Sequence, residues 1–442
     1  MDTSRRLKNR VGILGGGQLA LMLAHAAARM GMRPVIFAES AEAPAARVHR
    51  DVVLGAMDDE AALRHFFSQV DLVVFENEFV DCDLLRAQAQ GFDVRFAPDL
   101  SVLQLLQDKV SQKRTLKNLG IPTPEFRVLS RSWGQFSREV HQCLQSWKGQ
   151  CVFKWSRQGY DGKGVLFFSA QDAAQSTQKL EAFFQGAKER GSDIYAEPRV
   201  VFQRELAILG VQSQAGQFMT YPLVISEQHQ GVCSQVLGPA QAFGVSSELQ
   251  TQAHDWAQKL AQKTGLKGVF ALEFFESAQG KLWVNEIAPR VHNSGHYTQN
   301  ACSTDQFENH LRAVWGMSLG EVHVHPCFGM INLLGPESWA GPLEPVFWPK
   351  LAPQMNLHWY GKLESRPGRK LGHLNATASS PQQMLQTIQI LRQWQARWLK
   401  TLAPQKKATL AQKTRVVSPK KEPHILPEGR VKKKINKGSS IL

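Results

Sequence analysis

Residues 285–300 of the chain, NEIAPRVHNSGHYTQN, set an Asn-Glu pair at the end of an apolar run and then crowd Arg290, His292, Asn293, Ser294 and His296 into one short stretch. Solvated loops are built from Asn, Ser, Gly and Pro. One that also carries a carboxylate, a guanidinium and two imidazoles has the composition of a site. Just upstream, FALEFFESAQGKLWVNE (270–286) reads as a β-hairpin with its turn near Ala278–Gly280. Pairing across that turn brings Glu273 within about a residue of facing Glu286, and like charges opposed between strands are destabilising. A cation between them removes that cost. Magnesium takes such carboxylates together with nucleotide phosphates, and Asn285 adds a neutral oxygen beside them. The alternative is two solvent-facing glutamates, against which the bulky apolar neighbours on both strands weigh.

A second stretch, SRQGYDGKG (156–164), combines glycines that let backbone amides approach phosphate oxygens with Lys154, Arg157 and Lys163 in or around the same turn. It is not a Walker loop, because Gly164 follows Lys163 where Ser or Thr is needed and a strand follows instead of a helix. A Gly/Asp hairpin turn uses similar letters; the three cations favour a phosphate cover. A third, GGGQLA (15–20), satisfies G-x-G-x-x-A after a strand, with Glu39 at the end of the next one, which is the dinucleotide fingerprint. A nicotinamide oxidoreductase is therefore a competing reading. The spacing alone is weak support, since any glycine turn that starts a helix close to a sheet has it.

The elements that must position these residues change character along the chain. RVGIL, PVIFAE and DLVVFE are apolar strands alternating with helices, the pattern of a doubly wound α/β unit over 1–108. From 109 a helix (VSQKRTLKNLG) leads into mixed strands, among them IYAEPRVV, RELAILGVQ and FMTYPLVI, the pattern of an α+β unit to 320. A shorter unit, 321–403, ends in a helix rich in Gln, Leu and Trp. Residues 404–442 hold eleven Lys and Arg against Glu422 and Glu428, so this tail carries +9 of the net +14 and has the composition of a disordered extension. Nucleic acid is thus not an expected partner of the body; only the tail has the charge for it. The six cysteines are scattered without a C-x-x-C pair, which fits reduced thiols in a cytoplasmic protein. The triple glycine breaks the apolar run that follows RRLKNR, and no stretch reaches the roughly 20 apolar residues of a membrane span.

The strand with Lys154, the glycine hairpin, AEPRVVFQRE (196–205) and the Glu hairpin ending in Asn-Glu together resemble the ATP-grasp ligases. APRVHNSGHYTQNACSTDQFENHLRA (288–313) and HWYGKLESRPGRKLGHLN (358–375) are similar to the N5-carboxyaminoimidazole ribonucleotide synthetases among them. The resemblance implies an ATP-grasp fold with an N-terminal Rossmann-like (pre-ATP-grasp) domain and a small C-terminal domain. It implies ATP, magnesium, bicarbonate and 5-aminoimidazole ribonucleotide as ligands, and a reaction through carboxyphosphate to the N5-carboxylate, ADP and phosphate. Lys109 and Lys154 would contact ATP phosphates, with lysine at 109 where the family usually has arginine. The segment with Gln158, Gly159, Tyr160, Gly162 and Gly164 would close over them. Glu197 and Val200 would lie at the adenine hinge, Glu205 on the ribose, and Gln228 or His229 where the family has a histidine. Asn285 and Glu286 would meet the γ-phosphate, and Glu273 and Glu286 the metal. Lys163 would act beside them, Arg290, His292 and Asn293 would line the bicarbonate space, and Asp161 would orient or deprotonate the acceptor amine. Gln18, Glu76 and Glu78 would hold the ribonucleotide, with Lys362, Arg366, Arg369 and Lys370 on its phosphate. In VFENEF, Val74 and Phe79 replace the family's Thr and Asn. A homodimer is the expected assembly, and an ATP-grasp ligase with a different acceptor is the nearest alternative.

Overall fold

Strands LVVF and RVGIL are apolar along almost their whole length, as strands covered on both faces must be. In the computed structural model, which describes residues 9–159, 163–175, 177–229, 231–343 and 351–402, they lie at the centre of a parallel sheet. Its order is Val52–Leu54, Arg33–Ala38, Arg10–Leu14, Leu72–Phe75, Arg95–Ala97. The strand order reverses between Arg10–Leu14 and Leu72–Phe75, and the crevice beyond the carboxyl ends of such a pair is where open α/β sheets bind ligands. Gly15–Gln18 emerge from one of these strands and Glu76–Glu78 from the other.

The longest sheet is antiparallel and carries the Glu hairpin at its edge. It runs Leu282–Ala288, Gly268–Glu276, Arg204–Gln212, Val224–His229, Val232–Gly238, Cys327–Leu334, Lys370–Ala378, Met355–Trp359. The C-terminal strands thus extend the same sheet, joined where Val232–Gly238 pairs with Cys327–Leu334. FMTYPLVI, expected as one strand, is two, Phe218–Thr220 and Val224–His229, both paired with Arg204–Gln212. Pro222, which lacks an N–H, falls in the break. Behind the sheet, Leu249, Ala253, Ala257 and Leu260 of helix Ser247–Thr264 pack on Phe270, Leu272 and Phe274.

A third, four-stranded antiparallel sheet has the order Arg127–Val128, Ile194–Pro198, Gln150–Trp155, Val165–Ser169. Helices Trp133–Ser146 and Gln178–Glu189 cover it through Phe136, Val140, Leu180 and Phe184. The turn over 156–164 joins its strands Gln150–Trp155 and Val165–Ser169; Tyr160, Asp161 and Gly162 lie outside the described residues, as does the tail 404–442. No described helix is long and apolar enough to cross a membrane.

The glycine turn at 15–17 is filled by the protein itself. Gly17 N–H donates to Glu76 Oε2 at 2.7 Å at the start of helix Gln18–Arg29, and a Cβ on Gly17 would fall on that carboxylate. A pyrophosphate at this helix end, as the dinucleotide reading requires, would displace or repel Glu76. Gly17→Ala is expected to destabilise the fold by about 1–3 kcal/mol in urea unfolding, as overpacking does. Millimolar NAD is expected to leave the thermal midpoint unchanged.

Candidate active site

One cavity of about 1020 Å³ collects side chains from the three sheets described above and the loops that leave them. Gln18, Glu76 and Glu78 reach it from the parallel sheet, Glu273 and Glu286 from the hairpin, and Arg290, His292, Asn293 and His296 from the loop beyond. Gln158, Gly159, Lys163 and Gly164 of the glycine turn, with Gln228 and Lys370, complete the part of the wall expected from sequence.

The hairpin pairs Glu276 with Leu282 and Phe274 with Val284, a register that would set Glu273 against Asn285. A bulge between Glu273 and Phe274 shifts the pairing by one, so that Glu273 faces Glu286. Burial, then Glu286 and Glu205, push the Glu273 carboxyl up to about 7, with Lys109 and Lys370 opposing. Burial raises Glu205 to about 7 as well. Asp108 caps helix Lys109–Asn118, and Lys109 sits in its first turn, where a cation is unfavourable. Glu286 offsets this, its Oε2 2.9 Å from Lys109 Nζ. No group of three His, Cys, Asp or Glu that could hold a metal occurs among the described residues. Two opposed carboxylates and the Asn285 amide do fit an ion that completes its shell with phosphate oxygens and water, as magnesium does.

Behind these residues lies an ion chain that sequence reasoning missed in part. Lys154 Nζ donates to Asn285 Oδ1 at 3.0 Å and lies 2.7 Å from Glu197 Oε2; Lys113 Nζ is 2.5 Å from Glu197 Oε1 and donates to Thr123 Oγ1 at 2.8 Å. Burial works against the Glu197 charge, but the two lysines hold its pKa below the ordinary range. Burial pulls the Lys113 ammonium down to about 8. Lys113 stands one helical turn after Lys109, and that i, i+4 spacing was the available signal. Glu197 is therefore committed to lysines, and neither it, Val200 nor Glu205 lines the cavity.

Arg290 grips Glu78 with two nitrogens, Nε at 2.5 Å and Nη2 at 3.3 Å, and so ties the loop after the hairpin to the end of the parallel strand Leu72–Phe75. His292 Nε2 lies 3.6 Å from Glu273 Oε1, and its Nδ1 meets Ser294 Oγ at 2.9 Å. Burial, with Arg290 and Lys370 nearby, keeps the ring neutral. The Asn293 amide is engaged at both ends by Asn332, at 3.1 and 2.6 Å.

Several expected positions fall elsewhere. A bulge between Glu227 and Gln228 turns Gln228 to the cavity and leaves His229 exposed. Val74 is a core residue at 0% exposure, whereas Phe79 lines the cavity, so only the second departure from the family pattern touches the site. Of the basic cluster, Lys370 lines the cavity and Lys362 Nζ donates to its carbonyl at 2.6 Å. Arg366, paired with Glu364 at 3.4 Å, and Arg369, which donates to the Glu364 carbonyl at 3.0 Å, stand on a turn outside that lining. The turn closes through Arg369 N–H on the Arg366 carbonyl at 2.9 Å, before strand Lys370–Ala378 begins.

The sequence matches the ribonucleotide synthetase preATP-grasp domain over residues 8–107, the ATP-grasp domain over 114–307 and the phosphoribosylaminoimidazole carboxylase C-terminal domain over 329–387. It is 37% identical to the N5-carboxyaminoimidazole ribonucleotide synthase of Synechococcus elongatus, across 88% of this chain and 95% of that one. The enzyme of the same name from Mycobacterium leprae is also 37% identical, across 83% of each chain. Among solved structures, carboxyaminoimidazole ribonucleotide synthase of Aspergillus clavatus complexed with ATP superposes with a TM-score of 0.77 at 28% identity, covering 88% of this chain and 99% of that one. The complex of the Aspergillus clavatus enzyme with ADP and 5-aminoimidazole ribonucleotide gives 0.75 at 27% identity, with coverage of 88% and 99%.

The opposed glutamates make a pH prediction. Glu273 binds its proton more tightly folded, near 7, than at its ordinary 4.5, so it contributes stability below 4.5 that is lost as pH rises through about 7. Glu273→Gln is expected to stabilise the ligand-free protein at about pH 8 by on the order of 1–2 kcal/mol, reduced from the full shift because cavity water screens the pair. The gain should vanish below about pH 4.5, which thermal unfolding across that range will show.

Proposed function

The chain belongs to the N5-carboxyaminoimidazole ribonucleotide synthases, ATP-grasp ligases of purine biosynthesis, and from that premise we propose how its own residues carry out the ATP-dependent carboxylation of 5-aminoimidazole ribonucleotide. The observation that carries the reading is the single cavity in which the opposed Glu273 and Glu286 and the switch-point crevice of the parallel sheet share one space. An activated bicarbonate and its acceptor must meet without crossing bulk water, and this arrangement allows it.

Bicarbonate oxygen attacks the γ-phosphorus of ATP, the bond to the β-phosphate oxygen breaks, and carboxyphosphate and ADP result. The amine of the ribonucleotide then takes the carboxyl carbon, directly or as carbon dioxide, releasing phosphate and a proton. Lys109 and Lys154 supply positive charge toward the phosphates, held in place by Glu286, Asn285 and Glu197. Magnesium, bound by Glu273 and Glu286, would neutralise phosphate charge. Lys163 and the glycine turn exclude water, Asp161 serves the acceptor amine, and Gln228 borders the nucleotide. Arg290, His292 and Asn293 position bicarbonate. His292, kept neutral, donates or accepts without adding a competing charge. Gln18, Glu76 and Glu78 receive the aminoimidazole, and Lys370 with Lys362 receives the ribonucleotide phosphate; Arg366 and Arg369 join them only if their turn swings inward. All six cysteines are unpaired, which supports a reducing, cytoplasmic setting. A homodimer completes the proposal and is checked by sedimentation.

ADP release measured with bicarbonate is expected to rise sharply when 5-aminoimidazole ribonucleotide is added, with one N5-carboxylate formed per ADP. A rate unmoved by that acceptor would point to a different one. Glu286→Gln is expected to lower turnover by about 100-fold or more, because charge stabilisation at the transferring phosphoryl group is lost. An unchanged circular dichroism spectrum will show that the fold survives.

A further inference from the structure

His296 has no part in the division of labour above, yet it lines the same cavity with its side chain 0% exposed to solvent. Its tautomer follows from its neighbours. Gln306 accepts the His292 backbone N–H at Oε1, 2.8 Å, so its Nε2 is the donor end; that end gives one hydrogen to the His292 carbonyl at 2.8 Å and lies 3.3 Å from His296 Nδ1. Nδ1 is therefore the acceptor, and the ring proton sits on Nε2. Burial, with Lys370, His358 and Arg290 nearby, holds the pKa well below the ordinary range, so the ring is neutral.

That Nε2 has no hydrogen-bond partner. A buried N–H left unpaired is costly, and such groups are scarce in native proteins unless something completes them. The ring packs on His373, centroids 4.7 Å apart, and on Phe307 at 5.9 Å, while Gln306 closes its Nδ1 edge. With those contacts on the ring faces and the Nδ1 edge, Nε2 is the one polar atom of the ring left for a ligand in the cavity that His296 helps to line. His292 and His296 flank the short turn Asn293–Gly295, and the same Gln306 amide holds both ends of it. His292, at the other end of that turn, stands 3.6 Å from Glu273, so both imidazoles sit on the loop that follows the hairpin.

We infer that His296 is a further substrate-binding residue of the carboxylation, its Nε2–H donating to a carboxyl oxygen of bicarbonate and of the carboxyphosphate made from it. The inference rests on the function proposed above. A neutral donor suits the position: it holds an oxyanion without protonating it, and it adds no third cation beside Arg290 and Lys370.

The test compares His296→Leu, which removes the donor, with His296→Gln, whose amide nitrogen reaches the place of Nε2. In His296→Leu the bicarbonate KM is expected to rise about tenfold or more, the loss that goes with a hydrogen bond to a charged group. The ribonucleotide KM should stay unchanged, and any fall in the thermal midpoint from the lost ring and Gln306 contacts should be shared by His296→Gln and so not track the bicarbonate KM. His296→Gln should recover most of the loss. Equal losses in both variants with a lowered midpoint would make the ring structural and overturn the inference. A rise confined to the ribonucleotide KM would move the donor to the acceptor site and overturn it too, as would no kinetic change at all, which would mean that water completes Nε2. Failure of the unaltered protein to form the N5-carboxylate would strike the proposed function instead.

Discussion

The repulsion between Glu273 and Glu286 is the constraint around which the site is organised. A hairpin gains nothing by opposing two carboxylates in a half-buried place, and an unbulged register would have avoided it. The bulge imposes the opposition, and the surrounding charges answer it. Lys109 neutralises Glu286 from a helix end that would otherwise disfavour a cation. Lys154 reaches Asn285 and is in turn balanced by Glu197, which Lys113 balances again. Each charge is acceptable only because the next one is present, and the chain crosses from the hairpin to the four-stranded sheet. The result is a pair of carboxylates whose remaining repulsion a proton on Glu273 relieves below about pH 7 and a bound cation would relieve above it.

The Arg290–Glu78 pair extends this logic to the other side of the cavity. Both partners are largely buried, so removing one would leave an uncompensated charge in a poor dielectric. The loop that follows the hairpin is thereby anchored to the carboxyl end of the parallel sheet. The Glu hairpin and the parallel sheet are far apart in sequence, and this one fork holds their adjoining walls of the cavity together. The Gly17 N–H to Glu76 contact does similar work in the crevice. It occupies a helix end that would attract phosphate in a dinucleotide enzyme, and leaves the carboxylate facing the cavity.

The sites of closest backbone approach show why similar local spacing can serve different chemistry. GGGQLA has the letters of a dinucleotide turn, and its glycines are needed for a close approach, but the group approached is a side chain of the same protein. Composition cannot distinguish the two cases. Likewise the basic run RPGRKLGH reads as one phosphate patch, whereas the turn through Gly368 parts it, Lys370 lining the cavity and Arg366 and Arg369 standing outside that lining.

What the chain determines by itself is local: apolar periodicity for the parallel strands, glycine and lysine for the turn at 156–164, and two glutamates on a hairpin whose turn is plain from SAQG. Those features depend on neighbours within a few residues, which is the range over which dihedral preference and side-chain alternation act. The tertiary structure decided the rest. It set the register of the hairpin through a bulge, because the facing residue shifts with a single extra position. It chose Gln228 over His229 by the same device in another strand. It gave Glu197 to two lysines, matched Arg290 with Glu78 across more than two hundred residues, and joined the C-terminal strands to the central sheet. Charges find partners by distance in space, and only the packed fold sets that distance.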